Sequence, residues 1–382
     1  MPCLNEEAVI ASTVGALRDP AGGCRVVVVD DGSDDATGEL ARAAGGDQVT
    51  VVRRELPLAR QGKGAALNAG FRHVVADVAA RGLDARRVIV CVMDADGRLS
   101  DGALGEVLPL FDDASIGGVQ LPVRIRNRST NLLLQFQDYQ FWTQSALTQF
   151  GRVRTSSVSL GGNGQFTRFS ALIEVGQSPW TEALTEDLDL TISLAVRGWH
   201  TSSTARAAVD QQGVEKFGAL VRQRTRWYQG HMMAARRLPE VFTSQRMSTP
   251  SAIEVALYLI VPWAFDLPWS ILYHLVLIEV ALTWTDLPWH AMGVPGAVGY
   301  LAVWYVLGFW PALVTAAVAL RRDPDRGLRW AITMGHAFVL TNYLSYLCVW
   351  KALFRIVRGE HGWTKTVRVT EADTAERGQP AP

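Results

Sequence analysis

The chain has 382 residues, 48% of them hydrophobic, with 37 basic against 37 acidic side chains. Zero net charge excludes bulk electrostatic attraction to nucleic acid as a basis for function. Four scattered cysteines without a C-x-x-C pair indicate neither a disulfide framework nor a zinc site. Charges run through roughly the first 250 residues, whereas 255–354 is apolar with scattered tryptophan and proline, so the length divides into a soluble part and a membrane part.

The opening Met1-Pro2-Cys3-Leu4-Asn5-Glu6-Glu7 turns polar at once, unlike a signal peptide. A first sheet strand needs about five apolar residues before the Asn-Glu turn, and at most four stand there. The expectation is a trimmed first strand or a natural start further upstream. Residues 25–30 are a continuous apolar run closed by a carboxylate, the pattern of a parallel strand buried on both faces. Asp30-Asp31-Gly32-Ser33 then turns the chain into a helix over about 34–44. Capping by Ser33 would explain one acid here but would not require two. A weak strand at 49–53, a helix at 64–80 and a third strand at 88–93 continue the alternation. Alternating strands and helices predict an α/β domain with a largely parallel sheet, whose ligands bind beyond the carboxyl ends of the strands.

Asp94-Ala95-Asp96 closes the third strand. Two carboxylates in that place repel each other unless a cation neutralises them. Oxygen donors without histidine or cysteine favour Mg2+ or Mn2+, ions that commonly bridge to phosphates. A nucleotide diphosphate substrate is the expectation. Residues 131–150 have helical periodicity with aromatics beside glutamines and either lie at a membrane interface or cap the sheet. Residues 159–166 form a glycine-rich turn, which admits a ligand or simply makes a tight loop. On local sequence alone, Glu186-Asp187-Leu188-Asp189 reads equally as acids in the first turn of a helix.

Between Arg222 and Arg246 stand six arginines and one acid, Glu240, the composition of a segment lying against anionic headgroups. Residues 253–284 are apolar but interrupted by Pro262, Asp266 and Pro268, which predicts an interfacial helix or a kinked span. Clearer spans follow at 296–320 and 331–356. The basic run 321–329 between them belongs in the cytoplasm, and 285–295, without lysine or arginine, belongs outside. Three crossings put the tail outside, yet it carries Arg355, Arg358, Lys365 and Arg368, so the parity stays open.

With these motifs in this order, and Gln223-Arg224-Thr225-Arg226-Trp227 before the apolar part, the chain resembles a family 2 glycosyltransferase of the GT-A fold. The resemblance is to the membrane-integrated branch that includes cellulose, chitin-oligosaccharide and hyaluronan synthases. It runs from Asn5-Glu6-Glu7 to Trp363-Thr364-Lys365-Thr366. It implies that Asn5, Glu6 and Asp31 line the nucleoside pocket with Asp30 close by. Lys63, within Gly62-Lys63-Gly64-Ala65-Ala66-Leu67-Asn68, would lie near the donor phosphates. Asp94 would contact the nucleotide, and Asp96, beside it, would ligate Mg2+ or Mn2+. Asp187 matches the general base of a T-E-D motif, with Glu186 raising its pKa by like-charge repulsion. Gln223, Arg226 and Trp227 match Q-x-x-R-W and share one helix face. Arg226 would bind the departing diphosphate and Trp227 would stack on a sugar, although alone such a tryptophan reads as an interfacial anchor. Gly162 and Asn163 occupy the acceptor loop, which departs from the cysteine-containing form of several synthases.

The resulting expectation is a Rossmann-like GT-A nucleotide-sugar-binding domain with a mostly parallel mixed sheet at 1–215. Interfacial, acceptor-side helices carrying Q-x-x-R-W follow at 216–252, then about three transmembrane spans at 253–356 and a polar tail at 357–382. The expected activity is metal-dependent, inverting transfer from a nucleotide-sugar, a UDP-sugar, to a growing polysaccharide at the cytoplasmic side of the cell membrane. Transfer of one sugar to a polyprenyl-phosphate or other lipid acceptor, and a non-catalytic membrane scaffold, are the alternatives. An accessory export subunit is compatible with the first of these.

Overall fold

In the computed structural model, which describes residues 1–21, 24–360 and 362, β1 (Pro2–Cys3), β2 (Val26–Asp30) and β3 (Val49–Arg53) form a parallel sheet in that order. The first strand is therefore present, as two residues. The Met1 amino group donates to the Val27 carbonyl at 2.9 Å, and the Val29 N–H donates to the Met1 carbonyl at 2.8 Å. Helices α1 (Ile10–Ala21), α2 (Thr37–Gly45) and α3 (Lys63–Ala80) link or follow these strands. Val28 packs with Val9, Ile10, Val14 and Ala41, whereas Val29 packs with Ala66 and Ala69 of α3. The valine run is thus covered on both faces, which is why it does not alternate with polar residues.

The expected third strand is β4 (Ile89–Val92), and it leaves the parallel pattern. Beyond β5 (Arg98–Leu99), β6 (Ile116–Gln120), β7 (Val123–Ile125), β8 (Gln165–Arg168), β9 (His200–Ser203) and β10 (Val209–Gln211), the strands sort into orders β4-β8-β6-β9 and β5-β10-β7. Strand β8 runs antiparallel to both neighbours, while β9 is parallel to β6. Because Val92 faces Gln165, the carboxyl end of β4 meets the amino end of β8. That register puts the glycine-rich loop over Asp94-Ala95-Asp96.

Short α4 (Ala103–Val107) precedes β6. Helices α5 (Leu132–Tyr139) and α6 (Ala146–Val153) are joined by a π-helical turn, Gln140–Ser145, and pack on β7 and β9. Of the two readings of 131–150, the sheet-capping one describes these contacts. Helices α7 (Phe169–Val175), α8 (Glu186–Ala195), α9 (Phe217–Ala234), α10 (Leu238–Thr243) and α11 (Thr249–Val261) follow. Leu188 and Ile192 of α8 join Ala234, Val241, Val255, Ala256 and Leu259 in one core.

The chain falls into two units, Met1–Leu259 and Ile260–Glu360. The second contains α12 (Leu267–Leu282), α13 (Val294–Arg322), α14 (Gly327–His336) and α15 (Phe338–Val357). Three helical stretches, Thr249–Leu282, Val294–Arg322 and Pro324–Val357, are long and apolar enough to cross a membrane. Pro262 and Asp266 do not end the first stretch, because a π-helical turn at Pro262–Asp266 accommodates the missing proline N–H. Leu282, Val294 and Val298 turn outward, as apolar side chains do where lipid rather than water is the solvent. Most of the expected polar tail, with Trp363-Thr364-Lys365-Thr366 and Arg368, lies outside the described residues.

Candidate active site

Two arginines at the end of β3 neutralise the acids that end β2. Asp30 accepts from the Ser33 N–H at 2.9 Å and pairs with Arg53 at 2.6 Å, and Asp31 pairs with Arg54. Parallel register sets this up by placing Asp30 opposite Arg53. Burial pushes the Asp31 carboxyl above its usual pKa, against a backbone hydrogen bond from Arg60 and the Arg54 charge. Asn5 adopts φ +52 and closes the loop over this turn. Its side-chain oxygen accepts from the Asp34 N–H at 2.8 Å, while its own N–H donates to Ser33 Oγ. The Glu6 N–H donates to Thr37 Oγ1 at 2.7 Å. Asn5, Glu6, Asp30 and Asp31 therefore form one cluster around the Asp-Gly-Ser turn.

A second cluster gathers on Lys63, the first residue of α3. Its Nζ lies 2.6 Å from Asp94 Oδ1, 2.9 Å from the Gly162 carbonyl and 3.7 Å from Glu186 Oε1. Burial works against the ammonium, but Asp94 and Glu186 outweigh it and hold the pKa above the ordinary lysine value. A Cβ at Gly162 would stand 2.5 Å from Lys63 Nζ, so a larger residue there would displace the flexible end of the lysine. Asn163 is buried, accepting from the Asp94 N–H at 3.2 Å and donating to Gln211 Oε1 at 3.1 Å. Asp96 is fully buried, and its Oδ2 accepts from the Gln212 N–H at 2.9 Å. Gln120 fixes the loop from the other side, accepting from the Gly161 N–H and donating to the Asn163 carbonyl.

Among the described residues no group of three His, Cys, Asp or Glu side chains is arranged to hold a metal. Asp94 and Asp96 supply carboxylate oxygens only, the donor type that suits Mg2+ or Mn2+. Two protein carboxylates fit an ion that keeps the rest of its shell for phosphate oxygens and water.

Glu186, Asp187 and Asp189 stand in the first turn of α8. Glu186 is buried, and that burial pushes its carboxyl up to about 7, with Asp187 adding to the rise and Lys63 opposing it. Asp187 is raised by burial as well, again against Lys63. Its Oδ1 accepts from the Leu188 N–H at 2.8 Å. Thr191 ties Asp187 to the glycine-rich loop, because its Oγ1 accepts from the Leu160 N–H and donates to the Asp187 carbonyl, each at 2.9 Å. Gln223, Arg226 and Trp227 lie part-buried on α9. That helix reaches the T-E-D turn through Gly230, where a Cβ would stand 2.5 Å from Thr185 Cγ2. Trp227 meets Phe141 edge-on with centroids 6.1 Å apart, and the Arg224 guanidinium lies 4.6 Å from the Trp227 ring.

Arg53, Arg54, Gln120, Thr191 and Gln211 join the site without having stood out in the sequence. For the two arginines a signal existed, since strand 49–53 ends in Arg53 with Arg54 next, beside a strand that ends in Asp30 with Asp31 next. The glutamines and the threonine carry no local pattern.

The sequence profile described as "Glycosyltransferase like family 2" matches residues 1–230. Over 273 residues the chain is 31% identical to the beta-monoglucosyldiacylglycerol synthase of Trichormus variabilis, covering 67% of this chain and 53% of that protein. It is 30% identical over 237 residues to the probable glycosyltransferase YdaM of Bacillus subtilis, covering 60% of this chain and 54% of that one. It is 28% identical over 243 residues to the poly-beta-1,6-N-acetyl-D-glucosamine synthase of Staphylococcus aureus, covering 60% and 53% respectively. The chain spans about half the length of these curated relatives. Among solved structures, the mannosyltransferase PcManGT from Pyrobaculum calidifontis in complex with GDP-Man and Mn2+ superposes with a TM-score of 0.55. The identity is 17%, over 94% of this chain and 86% of that one, which shows a shared fold. The profile covers more than half of the sequence, and the chain belongs to glycosyltransferase family 2, with the GT-A fold.

Proposed function

We propose that the chain transfers a sugar from a nucleotide-sugar to a hydroxyl group of a membrane lipid, with inversion at the anomeric carbon. The observation that carries the transfer reading is the position of Lys63. One ammonium contacts the donor-side Asp94, the acceptor-loop carbonyl of Gly162 and, at 3.7 Å, the Glu186 that adjoins Asp187. Donor and acceptor chemistry thus share a single charged centre.

In this reading Asn5, Glu6, Asp30 and Asp31 receive the nucleoside. Asp187 accepts the proton of the acceptor hydroxyl, whose oxygen attacks the anomeric carbon from the face opposite the diphosphate. The bond to the diphosphate breaks, and the leaving group departs with the electron pair. Arg226 offers its guanidinium fork to that leaving group, and Trp227 offers a ring to the acceptor side. Asp94 and Asp96 would hold a divalent ion, which when bound neutralises the charge developing on the diphosphate.

The acceptor class is supported by the 31% identity to a protein named for monoglucosyldiacylglycerol synthesis, together with three helices apolar enough to span a membrane. A growing polysaccharide is the second reading, supported by the 28% identity to the poly-beta-1,6-N-acetyl-D-glucosamine synthase. A cytoplasmic site is supported by the basic run between the second and third apolar helices.

The test offers radiolabelled UDP- and GDP-sugars to membranes containing the full chain and sizes the product. A single labelled lipid species is the expected result, while a polymer ladder selects the second reading. Asp187→Asn should lower transfer by about 10²- to 10⁴-fold. Undiminished transfer in that variant would sink the assignment of the base.

A further inference from the structure

Glu254 stands in the second turn of α11, at the head of the first apolar stretch, where an ionised side chain is costly unless it is paired. It is paired from two sides. Arg152, at 5% exposure, brings its Nε to 2.8 Å from Glu254 Oε1, and Ser157 Oγ donates to Glu254 Oε2 at 2.6 Å. Tyr258 lies four residues on, hence on the same helix face. Its ring receives the Arg152 guanidinium at 4.1 Å, and its carbonyl accepts from His231 Nε2 at 2.8 Å.

Each partner leads to the acceptor side of the site. Ser157 opens a buried segment, residues 157–160, that runs directly into Gly161 and Gly162. Leu160 of that segment is linked through Thr191 to the Asp187 carbonyl. His231 follows Gly230, the residue that abuts Thr185, and sits four residues beyond Trp227. One face of α11 therefore holds both the acceptor loop and the Q-x-x-R-W helix. With Arg152 buried and Glu254 half-buried, the pair contributes little net stability against a well-packed apolar alternative, so its value lies in the geometry it enforces.

We propose that the Arg152–Glu254 pair, with Ser157, is a positioning device that registers the acceptor loop against the Q-x-x-R-W helix. Transfer to the acceptor depends on it, and use of the donor does not. The inference rests on the glycosyl-transfer reading above.

The experiment uses membranes containing the full chain and the labelled nucleotide-sugar that wild type consumes. It measures label transferred into membrane product against label released as free sugar by hydrolysis. Glu254→Gln and Ser157→Ala are expected to lower the transfer-to-hydrolysis ratio about tenfold, because small misplacements of a reacting group are costly. Hydrolysis and donor KM should stay within about twofold, since neither residue touches the donor cluster. The double exchange Arg152→Glu with Glu254→Arg should restore part of the ratio. An unchanged ratio in both single variants overturns the proposal. So does a parallel loss of hydrolysis and transfer in Ser157→Ala, which keeps the ion pair and should fold. A wild-type chain inert toward every nucleotide-sugar overturns the parent reading, and this one with it, and is distinguishable because no ratio then exists.

Discussion

Lys63 Nζ and Asp94 Oδ1 stand 2.6 Å apart, joining the start of α3 to the turn after β4 across 31 residues of sequence. Lys63 also counters the charges of Glu186 and Asp187, so one cation serves three carboxylates.

Lys63→Met should therefore cost about 10²-fold in turnover, the scale seen when a preorganised electrostatic group is removed from an active site. Without the ammonium, the Glu186 and Asp187 carboxyls rise further, so the pH–rate profile should shift to the alkaline side. Steady-state kinetics of wild type and variant across pH would check both effects. A variant with unaltered turnover would remove Lys63 from the machinery.

Glu186 makes stability pH-dependent in a defined direction. Its folded-state pKa is raised from 4.5 to about 7, so between those values the folded chain keeps a proton that the unfolded chain releases. Unfolding free energy then falls as pH rises through that window and is level above it. Glu186→Gln lacks this fall, so its Tm relative to wild type should increase between pH 5 and pH 8. Thermal melts at the two pH values measure the difference, and a pH-independent offset would contradict the assigned direction.

Chelation of divalent cations should abolish transfer, and Mn2+ or Mg2+ should restore it. Asp96→Asn should remain inactive after metal is added back. Calorimetry of nucleotide-sugar binding with and without Mn2+ separates metal-assisted donor binding from a purely catalytic role. Full activity in excess chelator would remove Asp94 and Asp96 from metal binding.

Gly230→Ala tests the contact between α9 and the T-E-D turn. The added Cβ would stand 2.5 Å from Thr185 Cγ2, and overpacking of this kind typically costs about 1–3 kcal/mol. Gly218→Ala, on the same helix, meets nothing closer than Arg222 at 3.7 Å and serves as the control. Denaturant melts should show destabilisation only at 230, accompanied by weaker acceptor use.

Much of the first sheet is legible in sequence because its signals are local. The valine run of β2 is long enough to be a strand and too uniformly apolar to have a wet face. The helix expected at 64–80 is α3, found at Lys63–Ala80. The apolar stretches are legible for the same reason, since length and hydropathy are properties of consecutive residues. Strand β1 escaped this logic. Two residues carry no periodicity, and only the pairing of Pro2 with Val29 and of Cys3 with Asp30 makes them a strand.

The sequence by itself determined which residue types were available and in what order: paired acids closing β-runs, an acidic helix start, a Q-x-x-R-W helix and apolar spans. Their mutual distances came from the tertiary structure. The antiparallel pairing of β4 with β8 carries Asn163 to Asp94, and that pairing joins segments more than 70 residues apart. Motif resemblance put Lys63 near the donor phosphates, whereas its contacts with Asp94, Gly162 and Glu186 came only from the fold. Local pattern encodes period and burial, whereas the neighbours of a charge are set by long-range register, which no short window of sequence contains.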